Sequence, residues 1–121
     1  MYELSVEGGF AAAHFLREYE GKCENLHGHN WHVEVRLQSE GLDRLGMVMD
    51  FKEIKALVGE VLEKFDHRCL NELDEFKKAN PTTENCARII YAELASRLTG
   101  GIKVSRVTCW ESPMCGASYW Q

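Results

Sequence analysis

The sequence predicts one α+β domain in which two helices cover a single face of a four-stranded antiparallel sheet. Three observations predict this class: apolar and polar residues alternate near both ends of the chain, apolar residues recur every three or four positions in the middle, and turn-forming residues separate these segments. The predicted order is strand, strand, helix, helix, strand, strand. With 121 residues the chain is expected to form a single domain over residues 1–121, because two separate cores would each bury too little surface to be stable.

Period-two alternation predicts the first two strands. Apolar and polar residues alternate over residues 2–7, after which Gly8-Gly9 permits a bulge or bend before the strand resumes toward His14. The same alternation over residues 27–38 predicts the second strand. The polar, glycine-containing segment 18–24 suits a hairpin connection between them.

Helical spacing predicts both helices. The second begins near residues 81–84, where threonines can cap free amide groups and an acid suits the positive helix end, and it stops at Gly100-Gly101. Its apolar positions are Cys86, Ile89, Ile90, Leu94 and Leu98. The apolar stripe of the first helix consists of Phe51, Ile54, Leu57, Val58, Val61, Leu62 and Phe65.

Two last strands are predicted over residues 102–111 and 117–120, around a turn at residues 112–116. Two helices can cover only one face of such a sheet, so its other face and its edges need a partner surface. The sequence therefore favours an oligomer.

Composition narrows the class of partner. A net charge of −5 disfavours a nucleic-acid-binding surface, which leaves a small molecule as the preferred partner. The chain shows neither a membrane-spanning apolar run nor a signal-peptide pattern, which predicts no membrane association and a cytoplasmic location. The cysteines are predicted to be reduced. Their number, five, is odd and does not suit a framework of disulfides. Cys69, Cys86 and Cys109 adjoin apolar patterns typical of core positions.

A metal site is predicted where the first two strands meet. His27 and His29 lie two residues apart, so a strand places both imidazoles on one face, and the hairpin brings His14 beside them. Three imidazoles with one vacant position are typical of a catalytic zinc site, whereas structural sites have four protein ligands. The alternative is that these histidines are ordinary surface or packing residues. His32 has the opposite strand parity and is predicted to face solvent.

Three further features are candidates for chemistry. Cys23 precedes His27 by four residues, close enough to a metal for its thiolate to be favoured, or it is an inert thiol. Asp66-His67 ends the first helix and forms either a proton-transfer pair or a solvated helix end. Glu111 ends an apolar strand, where it either binds a guanidine-like ring edge through two hydrogen bonds or simply meets solvent.

Six segments together resemble the 6-pyruvoyl/6-carboxytetrahydropterin synthase family, whose members have the tunnelling fold. The resemblance spans almost the whole chain and depends on the joint order and spacing of these segments. They are Phe10-Ala11-Ala12-Ala13-His14, Cys23 with His27-Gly28-His29, Leu45-Gly46-Met47-Val48-Met49-Asp50-Phe51, Phe65-Asp66-His67, Asn80-Pro81-Thr82-Thr83-Glu84-Asn85, and Trp110-Glu111.

The resemblance implies a lyase that acts on 7,8-dihydroneopterin triphosphate. It also implies a homo-hexamer, a dimer of trimers, with active sites at the subunit boundaries. The roles it implies are Zn²⁺ ligands for His14, His27 and His29, base for Cys23, proton relay for Asp66 and His67, pterin anchor for Glu111, and pocket lining for Thr82, Thr83 and Glu84.

The resemblance leaves the reaction open. The short spacing between Cys23 and His27 resembles that of the bacterial branch. This branch makes 6-carboxy-5,6,7,8-tetrahydropterin, with loss of acetaldehyde and triphosphate, for the biosynthesis of queuosine. The 6-pyruvoyltetrahydropterin branch typically has a longer step. A third branch places glutamate three residues before the second ligand and releases 6-hydroxymethyl-7,8-dihydropterin for folate; Glu24 occupies that position, so a sole or dual activity of this kind is an alternative. A non-catalytic zinc- or purine-binding module would need neither Cys23 nor Asp66 with His67.

Overall fold

Two α-helices pack against one face of a five-stranded mixed sheet in the computed structural model, which describes residues 1–121. The strands lie in the order β3-β1-β2-β4-β5 across the sheet. Neither helix is long and apolar enough to cross a membrane. The elements are β1 (Tyr2–His14), β2 (His27–Ser39), α1 (Phe51–Glu63), β3 (Arg68–Cys69), α2 (Thr83–Ala95), β4 (Lys103–Ser112) and β5 (Cys115–Tyr119).

The prediction of four antiparallel strands is wrong in one respect, because β3 adds a fifth. Its two residues pair parallel to β1, Arg68 opposite Ala12 and Cys69 opposite Ala13. The other three strand pairs are antiparallel, as predicted. A two-residue strand is too short to show alternation, so the sequence pattern carries no signal for it.

The predicted bulge at Gly8-Gly9 is also absent. The β1–β2 register runs without interruption from Tyr2 opposite Ser39 to His14 opposite His27. At Gly9 a side chain would place its Cβ only 2.7 Å from the carbonyl oxygen of Trp31. The glycine is therefore explained by close approach of the neighbouring strand rather than by a bend.

The core lies between the sheet and the helices. On β2 the buried residues are the alternating apolar positions from Trp31 to Leu37, as the period-two pattern predicts. In the predicted stripe of α1, Phe65 lies past the end of the helix and is fully buried. Phe51 stands at the other end and is 52% exposed, so its predicted burial is wrong.

The second helix and the last hairpin follow the predicted pattern with different limits. Thr82 caps α2 by accepting a hydrogen bond from the amide of Asn85. The helix ends at Ala95, before Gly100-Gly101. Ser112 pairs with Cys115, so the turn between β4 and β5 is shorter than predicted.

The opposite face of the sheet is polar and open. Cross-strand hydrogen bonds join Ser5 to Glu34 at 3.0 Å and His32 to Glu7 at 3.1 Å. The side chain of His32 is 50% exposed, which confirms that it faces solvent. No element of the chain covers this face, and β3 covers only the end of the β1 edge.

An ionic cluster joins the two helices and predicts a measurable acid sensitivity. Lys64 donates to Glu93 at 2.9 Å, and Arg97 donates to the same carboxylate at 2.8 Å. The Lys64 hydrogen bond first, and then the Arg97 hydrogen bond, hold the pKa of Glu93 below its usual 4.5. Because this pKa is lower in the folded state, the stabilisation is present above the unfolded-state pKa and is lost as pH falls through the folded-state pKa.

Glu93→Gln is therefore expected to lower the free energy of unfolding by up to ~1 kcal/mol near neutral pH. At a pH well below the folded-state pKa, where the wild-type carboxylate is also protonated, the two proteins are expected to be equally stable. Urea titration at both pH values measures the difference, and an equal loss at both would show that the charge of Glu93 is not the cause.

Candidate metal centre

Three imidazoles converge where β1 ends and β2 begins. His14 and His27 form the last cross-strand pair, and His29 lies two residues further along β2. All three have the strand parity of the core face, and their ligand nitrogens lie within 4.8 Å of one another. The predicted convergence of the three histidines is therefore confirmed, and the group can hold a metal ion.

Backbone carbonyls fix which ring nitrogen is available in two of these histidines. Nδ1 of His14 lies 2.8 Å from the carbonyl oxygen of Pro81, and Nδ1 of His27 lies 2.8 Å from that of Asn25. A carbonyl oxygen can only accept, so Nδ1 carries the hydrogen and Nε2 keeps its lone pair. Such carbonyl partners are typical of metal-ligating histidines.

The two more deeply placed imidazoles show that the site fits a cation. Nε2 of His14 and Nε2 of His29 are both buried and make no hydrogen bond. Unpaired buried polar atoms are uncommon in folded proteins and call for an explanation. Burial lowers the pKa of His29, although the carboxylate of Glu111 opposes this shift, and the neutral imidazole is the form that binds metals.

Glu111 borders the cluster from the end of β4. Its Oε2 lies 3.8 Å from Nε2 of His14 and 3.9 Å from Nε2 of His29. The hydroxyl of Thr83 donates to the same oxygen at 3.2 Å. Oε1 makes no hydrogen bond and is free to accept one from a ligand.

The remaining residues of the predicted pocket lie at the start of α2. Thr82 is half-buried, and its hydroxyl oxygen serves as the helix cap, which leaves the hydroxyl hydrogen free to donate. Glu84 is exposed in the first helical turn.

The β1–β2 connection carries Cys23 and Glu24. Cys23 is exposed and does not belong to the group of converging ligands. Glu24 is half-buried: its Oε1 accepts from the amide of Leu16 at 3.2 Å and lies 3.8 Å from Nδ1 of His27.

Asp66 and His67 form a pair at the outer side of β1. Oδ1 of Asp66 accepts from the amide of Ala11 at 2.8 Å, and Oδ2 lies 2.9 Å from Nδ1 of His67. The Ala11 N–H, and then the His67 ring, lower the pKa of Asp66. His67 takes a left-handed backbone conformation, with φ of 58°, and its side chain is 83% exposed.

The Asp66–His67 pair stands apart from the group of converging imidazoles. His67 lines a depression with residues of both strand parities, and the ligand His29 is one of them; the others are Ala11, Ala12, Ala13, Gly28, Asn30 and Arg68. The group whose ligand atoms lie within 4.8 Å of one another contains His14, His27 and His29 but neither Asp66 nor His67. Within one chain the pair therefore borders the neighbourhood of His29 without joining the metal ligands.

Two asparagines near the site, the buried Asn71 and the half-buried Asn80, were given no role at the level of sequence. Asn71 and Asn80 each hold the backbone just after His14 through their side-chain amides. Asn80 lies in a segment that carries the family resemblance, which was the one available signal. Asn71 lies in a segment without periodicity, and no sequence pattern marks it.

Comparison with known proteins agrees with this geometry. The model of the family described as 6-pyruvoyl tetrahydropterin synthase matches residues 3–121. In solved structures, 6-pyruvoyl tetrahydropterin synthase of Caenorhabditis elegans superposes with a TM-score of 0.86 at 30% identity, covering 99% of this chain and 95% of that one.

Three curated relatives carry two different names. A protein of Archaeoglobus fulgidus, provisionally named 6-carboxy-5,6,7,8-tetrahydropterin synthase, is 40% identical over 90% of this chain and 87% of its own length. The enzyme of the same name from Rickettsia bellii is 33% identical over 88% of this chain and 91% of its own length. Dihydroneopterin monophosphate aldolase of Pyrococcus furiosus is 40% identical over 89% of this chain and 88% of its own length. The match along nearly the full length, with the fold in common, shows that this chain belongs to the 6-pyruvoyl tetrahydropterin synthase family.

Proposed function

We propose that the chain is a zinc-dependent 6-carboxy-5,6,7,8-tetrahydropterin synthase. It would convert 7,8-dihydroneopterin triphosphate to 6-carboxytetrahydropterin, acetaldehyde and triphosphate, a step toward 7-deazaguanine compounds such as queuosine. The observation that carries the proposal is the convergence of three imidazoles beside the carboxylate of Glu111. The names of the Archaeoglobus and Rickettsia relatives and the short step from Cys23 to His27 support this branch of the family.

The metal would be held by Nε2 of His14, His27 and His29. Three neutral imidazoles suit Zn²⁺ and leave it one position for a substrate group. When bound, the ion supplies Lewis acidity, which makes the hydroxyl groups of the pterin side chain more acidic.

Glu111 is assigned to hold the pterin ring. A carboxylate accepts two parallel hydrogen bonds from a guanidine-like edge, which fixes both the position and the plane of the ring. Thr83 orients the carboxylate through its hydrogen bond to Oε2, and Oε1 remains to receive the ligand. Thr82 and Glu84, at the start of the same helix, are assigned to the border of this pocket.

Proton transfer is assigned to Cys23 and to the Asp66–His67 pair. Cys23 lies in the connection that leads directly to His27, and its exposed thiol is free to act as the base. Oδ2 of Asp66 lies 2.9 Å from Nδ1 of His67, which would keep the hydrogen on Nδ1 and leave Nε2 of that ring to accept or deliver a proton.

A complete site would need a second subunit. Asp66 and His67 do not belong to the converging group of His14, His27 and His29, and the open face of the sheet together with the unpaired edge of β1 offers surface for a neighbouring copy. The resemblance to the family implies a hexamer, a dimer of trimers, in which each site takes groups from different subunits, and we propose this assembly for the chain.

A second reaction is favoured by one contact. The carboxylate of Glu24 lies 3.8 Å from Nδ1 of His27, where it is an alternative acid or base beside the metal ligands. The Pyrococcus relative is named as an aldolase of dihydroneopterin monophosphate. Sole or additional release of 6-hydroxymethyl-7,8-dihydropterin is therefore the second candidate.

The test is product analysis on the zinc-loaded protein. It is incubated with 7,8-dihydroneopterin triphosphate, and the pterins are separated by liquid chromatography and identified by mass. A 6-carboxy product supports the proposal, whereas 6-pyruvoyl or 6-hydroxymethyl products assign the other reactions. Unchanged substrate from a protein that holds its metal would favour a non-catalytic zinc- or purine-binding module.

Cys23→Ala is expected to lower kcat by about 10²- to 10⁴-fold, because it removes the general base. Steady-state turnover and metal content are measured together, and the metal content is expected to stay unchanged. Cys115→Ala is the matched control, since Cys115 is also an exposed thiol but lies in the β4–β5 hairpin. Full turnover in Cys23→Ala would remove its role as base and point to Glu24.

A further inference from the structure

The orientation of His14 depends on a contact between distant parts of the chain. Its Nδ1 hydrogen is donated to the carbonyl of Pro81, which lies 67 positions later. Pro81 lies before α2, in neither a helix nor a strand. Nε2 of His14 can therefore face the other two imidazoles only if the backbone at Pro81 is held firmly against the end of β1.

Asn80, which directly precedes Pro81, provides one of two connections that hold this backbone in place. Its side-chain Oδ1 accepts from the amide of Arg17 at 2.8 Å, and its Nδ2 donates to the carbonyl of Arg17 at 3.1 Å. Its own carbonyl accepts from the amide of Thr82 at 2.8 Å and from the side chain of Asn85 at 2.9 Å. The peptide that leads into Pro81 is thus bound both to the segment after β1 and to the start of α2.

Asn71 makes the same kind of connection two residues closer to the ligand. It accepts from the amide of Phe15 at 3.0 Å and donates to the carbonyl of Phe15 at 2.9 Å, and only 6% of its surface is exposed. β3 ends at Cys69, opposite Ala13, so no strand is available to pair with Phe15. The carboxamide supplies the donor and acceptor that a neighbouring strand would offer.

The residue between these two is held in a similar way. The carbonyl of Leu16 accepts from the amide of Glu24 at 2.8 Å, and the amide of Leu16 donates to the side chain of Glu24. All the backbone donors and acceptors of residues 15–17 are therefore bound by partners from other segments. These residues are partly buried, so a backbone group left unpaired here would cost up to about 1–3 kcal/mol, the range for a fully buried group.

We propose that Asn71 and Asn80 are positioning residues for the metal site. Their carboxamides continue the sheet beyond its last strand pair and hold His14 against Pro81, so that Nε2 is fixed toward the ion. Neither residue touches substrate or metal. The inference rests on the proposed metal site, and the experiment below separates the two.

The test measures metal binding by Asn80→Asp in the full-length protein. Aspartate has nearly the same shape and still accepts from the amide of Arg17, but it places a second carboxylate oxygen against the carbonyl of Arg17 instead of a donor. Co²⁺ and Zn²⁺ affinities are measured by competition with a chromophoric chelator, and the Co²⁺ ligand-field spectrum is recorded. We expect affinity to fall by about 10- to 100-fold, the range for partners that orient metal ligands, together with a changed spectrum.

Asn71→Asp is expected to change both readouts in the same direction. The control is Tyr91→Phe, which removes a buried hydrogen bond of 3.0 Å to the carbonyl of Val104, at the opposite end of β4 from Glu111. This variant is expected to lose stability to urea while keeping wild-type affinity and spectrum. Circular dichroism shows that each variant is folded, and if Asn80→Asp is not, Asn80→Ser is judged by the same readouts.

His14→Ala distinguishes a failure of the metal site from a failure of the positioning role of Asn71 and Asn80. If His14→Ala loses metal while both asparagine variants keep wild-type affinity and spectrum, the positioning role is wrong and the metal site stands. If His14→Ala itself binds as tightly as the wild type, the metal site is wrong. A loss of affinity in Tyr91→Phe as large as in Asn80→Asp would also overturn the proposal, because any loss of stability would then have the same effect.

Discussion

Replacing His29 with alanine is expected to abolish tight metal binding and turnover together. The change leaves two of the three converging imidazoles, His14 and His27. Loss of a direct ligand should cost more than the ~10- to 100-fold in affinity that is typical for partners that only orient ligands. Zinc content after dialysis and kcat with 7,8-dihydroneopterin triphosphate measure the two effects.

His32→Ala is the matched control for this change. His32 lies on the same strand, three residues further on, but its side chain is half exposed on the opposite face and pairs with Glu7. It is expected to retain one equivalent of zinc. One equivalent of tightly held zinc in His29→Ala would contradict the assigned ligand set, as would loss of zinc in His32→Ala.

Replacing Phe65 with alanine is expected to lower the free energy of unfolding by about 3–5 kcal/mol, because it opens a cavity in the core. The ring is fully buried and lies between Phe10, at a centroid distance of 5.5 Å, and Phe76, at 6.4 Å. Domains are typically stable by only about 5–15 kcal/mol, so this is a large fraction of the total. Urea titration followed by circular dichroism measures the change.

Phe51→Ala provides the comparison within the same predicted stripe. Phe51 is 52% exposed at the start of α1, so its removal is expected to change stability by no more than ~0.5 kcal/mol. Equal losses in the two variants would show that the burial difference between Phe51 and Phe65 does not hold in solution.

These two phenylalanines also show what the sequence pattern can and cannot predict about the fold. Helical spacing correctly predicted a buried face on α1, which consists of Ile54, Val58, Val61 and Leu62, with Leu57 half-buried beside them. Spacing gives the direction of a side chain but not whether a neighbouring element reaches that far along the helix, so Phe51 was misjudged. β3 was missed for a related reason, because two residues are too few for any period to appear.

The candidate site was predictable where it follows strand parity. Parity and the hairpin predicted that His14, His27 and His29 come together. That Glu111 lies beside them, at the end of β4, was visible only in the structure. Contacts between side-chain amides and distant backbone have no period, so the roles of Asn71 and Asn80 were visible only in three dimensions.

The order of contacts along the chain has a consequence for how the protein folds. All three imidazoles belong to one hairpin, whereas the carbonyl that orients His14 comes 67 positions later. Contacts between neighbouring segments generally form sooner than those that close long loops. With the proposed metal site, a newly made chain would bind the ion early but weakly, and the affinity would rise only after the second half of the chain had docked. Since an ion that also binds incompletely folded chains stabilises the native state less, zinc is expected to raise the melting temperature less than its final affinity would suggest.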